Sequence, residues 1–233
     1  MRVLWTWMSF RPESYYERDI WRTTWRHAGG GVLMNQASHD LALISWMIGK
    51  PVQVSALIGN QLHKAEVEDV VCANVLFDNG GFGSIQLTIN QPGIYNVRQV
   101  AGEKGVIVMQ DVKSLTSDQN DQILLGTYES VLPTMVAQLP GISHRPRMTW
   151  QGIGLPENPS APSVLMDSFV DAIVDGGEPV VSGESARPSI ELINAIILSV
   201  MRKKVVDLPL DREEYDALFG ELSSGKVQIP RFR

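Results

Sequence analysis

Apolar positions divide the chain into stretches of different period. Residues 3 to 10, VLWTWMSF, are aromatic and apolar enough for a strand, and RPESYYERD then breaks the pattern with proline and charge. From Val32 to Ile48 the apolar residues Leu33, Ala37, Leu41, Ile44 and Ile48 recur at steps of three and four. That period predicts a helix, which Gly49 and Pro51 stop. The segment ahead of it, with its glycine triplet, reads as a loop feeding the helix.

The middle of the chain has the period of strands. VQVSALIG alternates, and DVVCANVLF and FGSIQLTI flank DNGG, where Asn-Gly between two such runs signals a hairpin. YNVRQVAG, GVIVMQ, SLTS and QILLGTYES continue with short turns, which predicts a large, mainly antiparallel sheet. Residues 131 to 160 collect prolines and glycines and read as an irregular excursion, followed by helices near 163 to 175 and 187 to 202. Helices gathered at the ends of a meander imply an α+β fold with helices on one face of the sheet. We expect one domain over residues 1 to 233, with no internal repeat.

Composition narrows the class. An apolar fraction of 44% in 233 residues supports a sizeable core, and the formal charge of −6 has no basic cluster that would mark a nucleic-acid footprint. No run is long and apolar enough for a membrane span, and no secretory signal pattern opens the chain. The single cysteine, Cys72, reads as a buried structural thiol, which suits a reducing cytoplasm.

Candidate chemistry centres on WRTTWRHAGGGVLMNQASHD, residues 21 to 40. On a helix Asn35 and His39, four positions apart, share a face and can touch one bound molecule. A histidine can take the proton of a hydroxyl that becomes a carbonyl, and an amide can orient that hydroxyl. The alternative is a histidine whose hydrogen bonds are met by backbone. Tyr15, Tyr16, Trp21, Arg22 and Trp25 supply aromatic faces and a guanidinium suited to a polyol, or else a loop pinned to the sheet by its tryptophans. Gly29, Gly30 and Gly31 let the backbone pass close to a ligand or another element and steer the helix start. His27, His63 and His144 read as surface or loop residues without metal-ligand spacing, and Glu66, Glu68 and Asp69 as a solvated charge run. Ser182 lacks a nucleophile-elbow setting. No glycine fingerprint lies between a strand and a helix, so we expect no dinucleotide site in this chain.

The ordered blocks SYYERDIWRTTWRHAGGGVLMNQASHDLALISWMIGKP, FDNGGFGSIQLT, GEKGVIVM, DSFVDAIVDGGEPVVSGESARPSIELINAI and VVDLPL resemble the C-terminal domain of the glucose-fructose oxidoreductase, inositol dehydrogenase and MocA family (Gfo/Idh/MocA). The resemblance covers nearly the whole chain, weakly over 111 to 160. It implies the substrate half of an NAD or NADP-dependent sugar or polyol oxidoreductase. An N-terminal Rossmann domain would bind the cofactor, and the sheet would form a homo-oligomer. By that likeness His39 matches the catalytic histidine and Asn35 stands where many members have aspartate, while Ala42 replaces a frequent acidic residue. Arg22, Trp25 and Tyr16 would line the sugar. The cofactor fingerprint and the E-K-P lysine have no counterpart here. The competing expectation is a non-catalytic carbohydrate-binding or oligomerisation module derived from that family.

Overall fold

The first strand, β1 (Arg2–Met8), lies in the middle of the sheet rather than at its edge. The computed structural model describes residues 1–92, 96–111, 122–138, 147–154 and 161–232. Among these, β2 (Pro51–Gly59), β3 (Val70–Phe77), β4 (Phe82–Thr88), β5 (Asn96–Ala101), β6 (Gly105–Asp111), β7 (Gln122–Tyr128), β8 (Met148–Ile153) and β9 (Val206–Asp207) complete a nine-stranded sheet. Its order is β8-β7-β6-β5-β1-β4-β3-β2-β9. Strand β1 runs parallel to β4, and the other described pairs are antiparallel. The fold is therefore α+β with a mainly antiparallel sheet.

Period-two patterning decides which face is covered. Val71, Ala73, Val75 and Phe77 of β3 point into the core, as do Ile85 and Leu87 of β4 and Val3 and Trp5 of β1. Asp78, Asn79, Gly80 and Gly81 turn β3 into β4, with Gly80 at φ 76° and the Asn79 side chain accepting from Gly81 N–H at 2.9 Å. The alternation sends Cys72 to the opposite, open face, where it is exposed. This corrects the expectation of a buried thiol: a strand one residue out of phase with its apolar neighbours presents its side chain to solvent.

The covered face is closed by α4 (Ser38–Ile48), α7 (Gly183–Arg202) and α8 (Arg212–Ser223), while α6 (Ala161–Asp175), which precedes α7, is largely exposed. In α7 the buried set Leu192, Ile193, Ala195, Ile196, Ile197 and Leu198 lies over β2 and against α4. Ser182 is its N-cap, accepting from Ser185 N–H at 3.3 Å, so this hydroxyl begins a helix. Helix α8 was not foreseen in the sequence, although Asp211 caps it by accepting from the N–H groups of Glu213 and Glu214 at 3.0 and 3.2 Å. The expected excursion over 131 to 160 contains ordered elements: α5 (Leu132–Gln138) and β8, which pairs with β7. Proline and glycine around them masked the short strand. The SLTS stretch and His144 lie outside the described residues.

The expected single helix from Val32 to Ile48 is two. α3 (Val32–Asn35) and α4 are separated at Gln36 and Ala37, where the Ala37 N–H reaches back five residues to the Val32 carbonyl at 2.8 Å. Such a widened turn inserts one residue without interrupting the apolar stripe, because Leu33, Ala37, Leu41 and Ile44 are all fully buried. Each buried leucine or isoleucine contributes about 1.5–3 kcal/mol, which outweighs the loss of regular bonding at the break.

Candidate functional site

The glycine triplet and an acidic pair fix the start of this helical segment. Gly29 (φ 73°) ends α2 (Trp25–Ala28) in a left-handed turn, and Gly31 lies so close to β3's approach that a Cβ there would be 1.8 Å from the Glu68 carbonyl oxygen. The Glu68 carboxylate accepts from Gly31 N–H at 2.8 and 2.9 Å and from Leu33 N–H at 3.0 Å, while its carbonyl accepts from Val32 N–H at 2.9 Å. Burial pushes the Glu68 carboxyl up to about 7, against the downward pull of these N–H donors.

Asp69, next in sequence, organises the loop before β3. Its carboxylate accepts from the N–H groups of Gln61, Leu62 and His63 at 2.8, 3.0 and 3.3 Å and pairs with His63 Nδ1 at 3.0 Å. His63 Nε2 reaches the Arg11 carbonyl at 2.9 Å. With acceptors at both ring nitrogens the imidazole is held as the cation. Burial alone would lower its pKa, but the Asp69 and Arg11 bonds raise it overall. Burial likewise works against the Asp69 carboxylate, and its donors, His63 foremost, still hold it below the usual range. Glu68 and Asp69 are both 0% exposed and His63 is 4% exposed, so of the expected solvated charge run only Glu66 is exposed, and the histidine is not a surface residue. Distant backbone groups, the Gly31 and Leu33 N–H on Glu68 and the Arg11 carbonyl on His63, help take these side chains inward.

The His63 bond to Arg11 anchors the chain just ahead of α1 (Glu13–Arg18), and α1 presents Tyr15 to a cleft. The Tyr15 hydroxyl lies 3.5 Å from Asn35 Oδ1 and accepts from Gln36 Nε2 at 3.0 Å. The Arg22 guanidinium sits 4.6 Å above the Tyr15 ring and pairs with Asp19. Tyr15 thus joins Asn35 to Arg22. Pro12, Ser14, Tyr15, Arg18, Asp19 and Arg22 line a cleft of about 400 Å³. A cleft of about 430 Å³ near Lys50, Arg187 and Arg212 includes none of the candidate residues, and Arg187 in it is paired with Glu184.

His39 is exposed on α4, and no described group hydrogen-bonds to its ring. Across the widened turn its four-residue separation from Asn35 corresponds to about a three-residue helical step, which still keeps neighbours on one side. Beyond it on the same side lie Leu43, Met47 and Trp46, the last 82% exposed. Asp40 turns the other way, accepting from Trp5 Nε1 at 2.7 Å and from Arg98 Nε at 3.0 Å.

Tyr16 and Trp25 are not at the cleft. Trp25 is 1% exposed and gives its indole N–H to the Glu66 carbonyl at 3.1 Å; Tyr16 is buried against the His63 ring, centroids 4.8 Å apart. Their apolar area is already spent on the core, so the structure corrects their assignment as sugar-facing walls. Tyr15, Gln36, Arg11 and Asp19 carry the polar geometry instead. One signal could have found part of this group: positions 11, 15, 18 and 22 are spaced at steps of four, three and four, one helical face.

Residues 1–108 match the GFO/IDH/MocA C-terminal domain family. Inositol 2-dehydrogenase 2 of Paenarthrobacter aurescens (strain TC1) is 25% identical over 155 residues, 65% of this chain and 40% of that protein. The fold matches the WlbA dehydrogenase from Bordetella pertussis, solved with NADH and UDP-GlcNAcA, at a TM-score of 0.67, with 24% identity over 90% of this chain and 55% of that one. It also matches the aldose-aldose oxidoreductase from Caulobacter crescentus complexed with glycerol, at a TM-score of 0.64, with 21% identity over 89% of this chain and 55% of that one. The chain thus spans about half the length of these relatives, and at such identities the structural likeness is one of fold. Residues 1–108 thus match the GFO/IDH/MocA C-terminal domain family in sequence, and about nine-tenths of the chain shares the fold of these dehydrogenases.

Proposed function

We propose that this chain forms the substrate side of an NAD(P)-dependent oxidoreductase that acts on a CH–OH group of a sugar or polyol. The setting of His39 carries this reading: an exposed imidazole with no described protein partner, beside an amide tied to Tyr15, on a helix face whose Leu43, Trp46 and Met47 are uncovered. His39 accepts the proton released as a substrate hydroxyl is oxidised. Asn35 cannot relay that proton, but its amide, with Gln36 and the Tyr15 hydroxyl, orients hydroxyls for the transfer. Arg22 donates to oxygen at the far end of the cleft.

The glycine-led start of α3 does not suit a dinucleotide. Its pyrophosphate needs free N–H groups at a helix start, and those of Gly31, Val32 and Leu33 are all taken by Glu68. In this reading the redox half is supplied by a nucleotide-binding domain docked on the His39 face of α4. A second reading, a non-catalytic carbohydrate-binding or oligomerisation module, is favoured by the open sheet face, where Leu57 is 73% and Phe82 66% exposed.

Titrating the chain with myo-inositol and D-glucose while following the His39 ring and Asn35 amide signals by NMR tests the reading. Saturable shifts confined to these residues are expected. If neither polyol moves them, the assignment of the substrate site fails.

A further inference from the structure

Two guanidinium groups converge on one phenol ring. Arg11 lies 5.5 Å and Arg22 4.6 Å from the Tyr15 centroid, and Arg22 also stacks at 4.8 Å on Trp21. Arg18 lines the same cleft, its side chain 86% exposed. Against these three cations the cleft sets one carboxylate, Asp19, which engages Arg22 through Nη1 and stands 3.7 Å from Arg18. The nearby Glu13 carboxylate is turned away and accepts from the Lys64 N–H at 3.2 Å. An excess of positive charge thus sits on a chain whose net charge is −6.

Arg22 is held but not satisfied. Its Nη1 is committed to Asp19, its Nε is buried without a hydrogen-bond partner, and no described group accepts from Nη2. The Nε and Nη2 donors form the planar edge that grips a carboxylate or phosphate with two parallel bonds. Leaving a sheltered charged donor unpaired is costly, and a small rotation of the guanidinium on its aromatic seat would turn that edge into the cleft. Tyr15, which seats Arg22, also contacts Asn35, so an anion gripped there is part of the molecule presented to Asn35 and His39.

We propose that the substrate of this site is an anionic sugar, bearing a carboxylate or a phosphate, and that Arg22, assisted by Arg11 and Arg18, binds the anionic group. The proposal rests on the reading of His39 and Asn35 as a sugar site. It distinguishes the site from one built for neutral polyols, because a single hydroxyl gives the Arg22 edge one acceptor and no opposing charge.

The test titrates the chain with D-glucuronate, D-glucose 6-phosphate, D-glucose and inorganic phosphate, following arginine Nε–H, Asn35 and His39 signals by NMR. At least one sugar anion is expected to bind about tenfold or more tighter than glucose, and whichever does so identifies carboxylate or phosphate as the group. Arg22→Gln should abolish the preference, bringing the sugar anions down to the affinity that the same variant shows for glucose; Arg11→Gln should reduce the preference and guards against a folding defect in the first variant. Equal binding of all three sugars, or a preference that survives Arg22→Gln, overturns the proposal while the sugar site stands. Absence of any sugar effect on Asn35 and His39 overturns both. Arginine shifts produced equally by inorganic phosphate, without change at Asn35 and His39, mean an adventitious ion only and also overturn it.

Discussion

Both carboxylate oxygens of Glu68 accept from the backbone N–H of Gly31, at 2.8 and 2.9 Å, although 37 residues separate the two in sequence. The same contact brings the Glu68 carbonyl oxygen within 1.8 Å of where a Cβ on residue 31 would lie. Gly31→Ala must therefore push backbone from backbone, with no flexible side chain to yield. A loss of about 3 kcal/mol or more is expected from urea unfolding, larger than at Gly29, where only the tip of Met34 is near.

Glu68 also sets a pH dependence. Its carboxyl ionises near 4.5 when unfolded and near 7 when folded, so unfolding between those values releases a proton. The contribution is greatest below about pH 4.5, declines as pH rises through 7 and then levels, by at most on the order of 3 kcal/mol. His63, with its pKa raised, acts in the same direction: its stabilisation is full below 6.5 and is lost as pH rises through the higher folded value. Glu68→Gln should flatten the slope between pH 4.5 and 7 and leave the part due to His63. Urea midpoints taken across pH 4.5 to 8 read this directly, and an unchanged slope would reject it.

His39→Ala removes an exposed ring with no partner among the described residues, so the unfolding free energy should stay within about 0.5 kcal/mol of the parent's. In an assembly complete with its nucleotide-binding domain, the same variant should lose about 10²–10⁴-fold in turnover, and Asn35→Ala should act more on KM. Full activity together with a loss of several kcal/mol would make the histidine structural.

The open face of the sheet is the expected self-association surface, by a two-fold contact. Leu57 and Cys72 are cross-strand partners there, and Leu4 and Phe82 lie nearby on β1 and β4. Leu57→Asp, on a side chain 73% exposed in the protomer, should shift a dimer to monomer with little change in protomer stability. Light scattering at tens of micromolar decides: a parent already monomeric there rules the surface out.

What the sequence disclosed was local. The Asn79-Gly80 turn and the stripe of Leu41, Ile44 and Ile48 are visible because each is written in consecutive residues. Glu68, Asp69 and His63 are charged in sequence and buried in space: Glu68 accepts from the Gly31 segment, His63 meets the Arg11 carbonyl, and Asp69 accepts from residues 61 to 63. The widened turn at Ala37 left the apolar spacing intact and so gave no sign. Tyr16 and Tyr15 differ by one position, and only the packing of His63 on Tyr16 decides which ring is buried and which reaches the cleft.

The placement of β1 has a consequence for assembly. β4 and β5 do not pair with each other; residues 2 to 8 stand between them as the keystone, parallel to one and antiparallel to the other. Without that strand the sheet falls into two separate ribbons of four, β2 to β4 with β9 on one side and β5 to β8 on the other. Within the ribbons the β3–β4 and β5–β6 turns are short, whereas the join matches Arg2 with Phe82 and Ala101, far along the chain. Capture of residues 2 to 8 is therefore a long-range step that makes the two ribbons one surface.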